Sequence, residues 1–196
     1  MREPLSDASL DRLFRTARSF NGFTADPVTE ADIQAIYELV KMGPTSVNMQ
    51  PARFVWCLSQ ESRDQLAACA SGTNGAKISA APAAVVIGMD NDFHEHLPML
   101  FTHADARPWF ADPEARKAHA FRNSSLQGGY FILAARALGF DVGPMSGFDH
   151  DQVDAAFLPG QPNVKSNFIA TLGVGDPTTI FGRSPRPAFE TFNKIV

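Results

Sequence analysis

Gly43-Pro44-Thr45-Ser46-Val47-Asn48-Met49-Gln50-Pro51 separates two segments of different periodicity. Before it, Ile33, Ile36, Tyr37 and Val40 recur at helical spacing. After it, Phe54-Val55-Trp56-Cys57-Leu58 is a short apolar run of strand length. Gly43-Pro44 stops the helix, because proline lacks an N–H and disfavours a helical residue before it. Thr45, Ser46 and Asn48 carry short polar side chains suited to caps and turns. A helix passed into a buried strand through a polar turn points to an α+β organisation, with helices around a sheet of about four strands.

Toward the N-terminus, Thr29 with Asp32 three residues on reads as a capping box for that helix. Leu10, Leu13, Phe14 and Ala17 predict an earlier helix over residues 8–19, closed by Arg18-Ser19-Phe20-Asn21. Toward the C-terminus, Ser59 or Ser62 caps a helix running to Ala70. Gly72 to Gly75 is a loop, so Asn74 and Lys77 fall in a Gly-containing connection before a strand over 83–88. Ser124 to Leu138 reads as a long, Ala-rich, mostly buried helix. Gly143-Pro144-Met145-Ser146-Gly147 reads as the turn after it. Asp149 with Gln152 caps a helix over 150–157, and residues 167–173 form a last core strand. Residues 91–120 hold four of the five histidines and little periodicity, which suggests a lid or helical excursion. The whole of 1–196 reads as one domain.

Hydrophobic residues make up 44% of the chain and charged residues only 19%, which excludes a disordered chain. The low charge also suggests surface covered by a partner. A net charge of −4 argues against a nucleic-acid or membrane-surface binder. Twelve of the 17 basic residues are arginine, the side chain suited to gripping phosphate and carboxylate, although GC-rich codons give the same excess. Cys57 and Cys69 have no metal or redox spacing and read as reduced core residues of a cytoplasmic protein. The N-terminus shows no apolar leader, and no apolar run is long enough to span a membrane.

No Rossmann fingerprint, Walker loop or nucleophile elbow is present. His94, His96 and His103 allow a metal-hydrolase reading, but they lack an acidic partner at fixed spacing, so no metal is expected. What remains is a set of cations and short polar donors: Arg18, Ser19 and Asn21; Thr45, Ser46 and Asn48; Asn74 and Lys77; Pro144 to Gly147; Arg183 and Arg186. Such a set suits an anionic, planar ligand with polar edges.

In that order the set resembles the FMN-dependent nitroreductase family. Residues 43–51 are similar to its P-S/T-S-x-N-x-Q-P signature. Pro144–Gly147, Leu172-Gly173-Val174-Gly175-Asp176 and the late arginines continue the likeness over nearly the whole chain. Phe121-Arg122-Asn123-Ser124-Ser125, His103-Ala104-Asp105-Ala106-Arg107 and residues 143–149 resemble its malonic semialdehyde reductases, which act in pyrimidine breakdown.

The resemblance implies a mainly antiparallel sheet flanked by helices, in a homodimer with a swapped C-terminal tail. It implies FMN, reduced by NADH or NADPH in a ping-pong cycle, and a small electrophile as acceptor. Arg18, Ser19 and Asn21 would hold the flavin phosphate or ring edge. Thr45, Ser46 and Asn48 would reach the flavin from the other subunit. Asn74 and Lys77 would meet the ring's polar edge, and Pro144, Met145, Ser146 and Gly147 would run along the ring. Arg183 and Arg186 would complete the phosphate grip. Ala17, Asn21 and Ser146 depart from the family's usual Arg, basic residue and Glu. His103 and Arg122 are candidates for meeting an acidic aldehyde, and no side chain is assigned as proton donor. A nitroaromatic or quinone reductase, or a flavin-binding protein without turnover, are the alternatives.

Overall fold

A computed structural model of the chain describes residues 2–196. Its strands are β1 (Ala52–Cys57), β2 (Ala83–Asp90), β3 (Asp141–Met145) and β4 (Val164–Gly173). They form one antiparallel sheet in the order β1-β2-β4-β3. The helices are α1 (Asp7–Leu10), α2 (Glu30–Val40), α3 (Gln60–Ala68), α4 (Asn74–Ala80), α5 (Leu97–Leu100), α6 (Pro113–Ala137), α7 (His150–Phe157) and α8 (Phe189–Phe192).

Side chains alternate across a strand, so each strand serves two layers. Phe54 and Trp56 of β1, Val85 and Ile87 of β2, and Phe168, Ala170 and Leu172 of β4 face α2 and α6. Ile36 and Val40 of α2 and Phe131 and Ala135 of α6 fill that side. Val55, Cys57, Ala84, Val86 and Ile169 face the other way, onto Leu66 of α3, Ile78 of α4 and Val153 of α7. β2 lies inside both layers and is therefore apolar at successive positions, the pattern expected of a strand covered on two faces. A third cluster, Met49, Phe93, Leu97, Ala106, Phe110 and Ala120, gives residues 91–120 a small core of their own.

The caps form as the sequence predicts. Thr29 and Asp32 close a reciprocal capping box on α2. Ser59, rather than Ser62, caps α3. Asp149 caps α7. Several boundaries differ. The first helix ends early: α1 continues as a π-helical turn over Asp11–Arg15, and Ser19 lies extended, bridged to Val142. The long helix begins at Pro113 rather than near Ser124, with Asp112 accepting from the Glu114 N–H and proline at its first position. Of the segment read as a lid or helical excursion, residues 91–112 hold short helical turns and 113–120 belong to the long helix.

Two readings need correction. Asn74 and Lys77 do not lie in a loop but on α4. The segment read as a turn at Gly143–Gly147 is largely a strand, since β3 spans Asp141–Met145. Gly143 and Pro144 hide that strand from propensity rules. Proline is tolerated because β3 is an edge strand. Gly143 is required because a Cβ there would stand 2.5 Å from the Phe20 carbonyl oxygen.

Cys57 and Cys69 are free and buried in the second layer, and burial pushes the Cys57 thiol up to about 11. The outer surface carries a different signature. Phe181, Phe189, Phe192, Ile195 and Val196 of the tail are exposed, as are Phe121 and Leu126 on α6.

α6 lies close on β4 through Gly128, where a Cβ would stand 2.3 Å from the Phe168 ring. Gly129, one residue on, has open space. Gly128→Ala is therefore expected to destabilise the fold by roughly 1–3 kcal/mol in urea unfolding. Gly129→Ala, with no clash, is expected to stabilise it by up to about 1 kcal/mol. Equal effects of the two changes would contradict this packing.

Candidate active site

The signature turn is the most strained backbone in the described residues. Val47, Asn48 and Gln50 have φ values of 45°, 53° and 43°. These are the only non-glycine residues described with positive φ. A β-branched residue such as Val47 is disfavoured in that region, and each such position costs of order 1–3 kcal/mol.

α6 supplies what holds the turn in place. Ser46 N–H donates to Asn123 Oδ1 at 2.9 Å, while Asn123 Nδ2 donates to the His119 carbonyl. The buried Gln127 accepts from Ala52 N–H at 2.8 Å and donates to Gln50 Oε1 at 2.6 Å. Tyr130 OH donates to the Pro44 carbonyl at 2.8 Å, and its ring fills the space a Gly43 side chain would occupy. Within the turn, Gln50 N–H donates to Thr45 Oγ1 at 3.2 Å. Asn48 Nδ2 reaches the Leu100 carbonyl at 2.8 Å and ties the turn to the 91–112 excursion.

A second group assembles at the other edge of the sheet. The extended segment Arg18–Asn21 runs beside β3, and the tail straps across it. Arg18 donates to the Phe181 carbonyl, Arg183 to the Ala17 carbonyl at 2.8 Å, and Asn21 Nδ2 to the Thr179 carbonyl at 2.9 Å. The resulting cleft, of about 280 Å³, is lined by Arg18, Ser19, Asn21, Arg183, Ser184 and Arg186 with Phe181 and Gly182. No carboxylate lines it. Each guanidinium spends part of its five-donor fork on backbone carbonyls, and none is neutralised.

Pro144 and Met145 finish β3, and Ser146 and Gly147 follow. Asn74 Nδ2 and Ser71 N–H both donate to the Gly147 carbonyl, at 3.1 and 2.9 Å, which fixes that loop against α4. A Cβ at Gly147 would stand 2.9 Å from Asn74 Nδ2, so a larger residue would displace that amide. Lys77 is half-buried on α4 with no hydrogen-bond or ion-pair partner among the described residues.

The two groups do not meet within one chain. β1 and β3 are three strand spacings apart, about 14 Å. Ala52 is level with Met89 and Lys165, whereas Val142, beside Ser19, is level with Leu172. That adds roughly 20 Å along the strands. Thr45, Ser46 and Asn48 therefore stand far from Arg18, Ser19, Asn21, Arg183 and Arg186.

The remaining candidates sit nearer the signature turn. His103 packs edge-on to Phe101 in the excursion. Arg122 is exposed on α6, beside Asn123. The other histidines point to different partners. His94 faces Arg116 at 3.3 Å, and His96 lies 3.6 Å from Asp90. Asp105 is held by Arg107, whose guanidinium lowers its carboxyl to about 2.

Asn123, Gln127 and Tyr130 were missed as site residues by sequence reasoning. Their signal is present: polar side chains at i, i+4 and i+7, which share one helix face.

A four-stranded antiparallel sheet with helices on both faces is the nitroreductase-like fold. Residues 14–175 match the sequence profile of the Nitroreductase family, and the chain belongs to that family. A protein of Xanthomonas oryzae pv. oryzae provisionally named NADH dehydrogenase/NAD(P)H nitroreductase is 54% identical over 191 residues, covering 97% of each chain. A protein of the same name from Stenotrophomonas maltophilia is 53% identical over 196 residues, the full length of both. Among solved structures, a nitroreductase from Exiguobacterium sibiricum in complex with FMN superposes with a TM-score of 0.86 over all of both chains, at 21% identity. No helix among the described residues is long and apolar enough to cross a membrane.

Gln127→Leu strands the buried Ala52 N–H and frees Gln50. It is expected to cost about 1–3 kcal/mol in urea unfolding and to expose residues 43–51 to proteolysis under native conditions. Unchanged stability with an intact turn would show that Gln127 does not hold it.

Proposed function

We propose that this chain is an FMN-dependent NAD(P)H oxidoreductase that works as a homodimer. The observation that carries the reading is the cleft with three guanidinium groups and no carboxylate, at the Ser19 segment that bridges Val142 of β3. Uncompensated arginines around a small cleft suit a phosphate, because guanidinium forks match its oxygens. The donor set thus fits the phosphate of FMN. Bound there, FMN supplies the carrier that moves a hydride from a reduced nicotinamide to a small electrophile.

The chain's own part is to bind and orient. Arg18, Ser19, Asn21, Arg183 and Arg186 would hold the phosphate end. Pro144, Met145, Ser146 and Gly147, with Gly147 fixed by Asn74, would line the ring. Lys77, lacking any partner of its own, offers its charge to the ring's electron-rich edge. Thr45, Ser46 and Asn48 stand far from the phosphate end of their own chain, so in this reading they serve the flavin of a second copy. This accounts for the exposed apolar residues of α6 and the tail, which a partner subunit would cover. A tail exchanged between subunits fits the exposure of Phe189, Phe192, Ile195 and Val196.

The acceptor we propose is malonic semialdehyde, reduced to 3-hydroxypropionate: its aldehyde carbon takes the hydride and its oxygen takes a proton. The likeness of residues 103–107 and 121–125 to that subgroup supports this. The names carried by the relatives at 54% and 53% identity favour a nitroaromatic or quinone as a second reading.

Purified protein is expected to be yellow, to bleach anaerobically with NADH or NADPH, and to have the mass of a dimer in light scattering. Colourless protein that takes up no added FMN would overturn the reading. Stable colour with no bleaching would leave a flavin-binding protein without turnover. Reoxidation of reduced protein by malonic semialdehyde, a nitroaromatic and a quinone separates the acceptors. Lys77→Ala is expected to slow reduction by the nicotinamide roughly tenfold or more while leaving thermal stability nearly unchanged.

A further inference from the structure

β4 carries one irregularity. Phe168 pairs with Ile87 and Ser166 with the next residue, Gly88, so Asn167 is an extra residue with no partner on β2. A bulge of this kind re-aims the side chain it carries. Asn167 turns to α6, where its Nδ2 donates to Ser124 Oγ at 2.8 Å and to Ser125 Oγ at 2.9 Å. Each hydroxyl has a single hydrogen, and both donate to the Phe121 carbonyl, at 3.2 and 2.8 Å. The two serine oxygens therefore accept from Asn167, which sets the orientation of its amide. Asn167 Oδ1 is left with no hydrogen-bond partner among the described residues.

Asn167 lines a cleft of about 530 Å³, with Phe121 and Phe168 among its walls. His150 lines it too, and its Nδ1 stands 3.1 Å from the Ser166 carbonyl. A carbonyl only accepts, so Nδ1 carries the hydrogen, and Nε2 of the neutral ring is a second free acceptor. The charged residues on the cleft are Asp151, Asp154 and Lys165. Lys165 Nζ lies 3.5 Å from Asp154 Oδ2, which leaves Asp151 as the excess charge. Free acceptors and a net negative charge suit a neutral ligand that brings its own N–H groups, and they disfavour an acid.

The cleft adjoins the loop assigned above to the flavin ring. Met145 pairs with Ile169, so Ser146 leaves β3 level with Phe168, about 5 Å away across one strand spacing. Ser146 also lines the cleft. Of the reactants in the reductase reading, only the reduced nicotinamide carries an N–H donor at its reacting end. An aldehyde acid, a nitroaromatic or a quinone carries none. The carboxamide of a nicotinamide stands on the ring carbon next to the one that releases hydride.

Resting on the reductase reading, we propose that Asn167 binds the carboxamide of the hydride donor, accepting its N–H at Oδ1 in the cleft walled by Phe121 and Phe168. An anchor one carbon from the reacting position orients that position as well as binding the ring. The flat pyridine ring fits beside aromatic walls.

The test uses holoprotein and a pair of probes. 3-Acetylpyridine has the ring and carbonyl of nicotinamide but no N–H. In NMR titrations, nicotinamide is expected to bind roughly tenfold more tightly than 3-acetylpyridine. It is also expected to shift the Asn167 side-chain amide and the His150 ring signals. Asn167→Ala is expected to bind the two probes equally, whereas Asn167→Asp keeps an acceptor oxygen and is expected to keep the preference. In reduction by NADH and by its acetylpyridine analogue, Asn167→Ala is expected to lose roughly tenfold more rate with NADH than with the analogue. The proposal is overturned if the wild type binds both probes equally, if the shifts fall outside the cleft, or if Asn167→Ala keeps the preference. Equal losses with both hydride donors would mark Asn167 as a structural residue and also overturn it. Probe binding needs no turnover, so a protein that selects nicotinamide through Asn167 yet is not reduced by NADH would refute the proposed function and leave this pocket standing.

Discussion

Two side-chain amides on one helix hold the most demanding piece of backbone in the molecule. Asn123 and Gln127 of α6 pair with Ser46, Gln50 and Ala52, and these pairings hold three non-glycine residues in the left-handed region. Unaided, that conformation would relax, since each such residue costs of order 1–3 kcal/mol. Buried amides with every bond directed are worth more than exposed ones, because breaking one leaves a partner desolvated and unpaired. Gln127 also satisfies the N–H of Ala52, the first residue of β1. The same side chain therefore sets where the sheet begins and how the signature turn is shaped.

The rest of the arrangement follows from sheet topology. With β1 and β3 at opposite edges, the turn before β1 and the segment beside β3 are held apart by the two strands between them. A rigid sheet keeps them apart. The candidate site residues of this chain of 196 residues are therefore not gathered in one place. The homodimer we propose would complete the site, its two-fold axis bringing each turn to the other chain's cleft. The low charge and the exposed Phe and Ile side chains of the tail are consistent with surface reserved for that contact.

Much of the fold was legible locally. Capping at Thr29, Ser59 and Asp149 depends on residues three positions apart, and all three caps formed. β2 and β4 announced themselves by apolar runs. β3 did not, because Gly143 and Pro144 serve close approach and an edge position rather than strand propensity. α4 was hidden by its seven-residue length, an inner glycine and an N-cap that makes no side-chain bond. The start of α6 was legible in Asp112-Pro113 and was overlooked, since the apolar pattern begins later than the helix. For the candidate site, the residue types and their order were visible. The burial of Asn123 and Gln127 was not, because polarity alone reads as exposure.

Sequence by itself determined the alternation of helix and strand, the caps, and the ordered motifs that place the chain in the nitroreductase family, because each depends on neighbours within a few residues. Only the tertiary structure decided which polar groups are buried and paired, which strand stands at the edge, and that the candidate site is divided between two ends of the sheet. The bonds responsible join residues 75 and 77 positions apart, such as Gln127 with Ala52 and Asn123 with Ser46. Pairings over that distance are set by how helix and sheet pack together, which no local window of sequence contains.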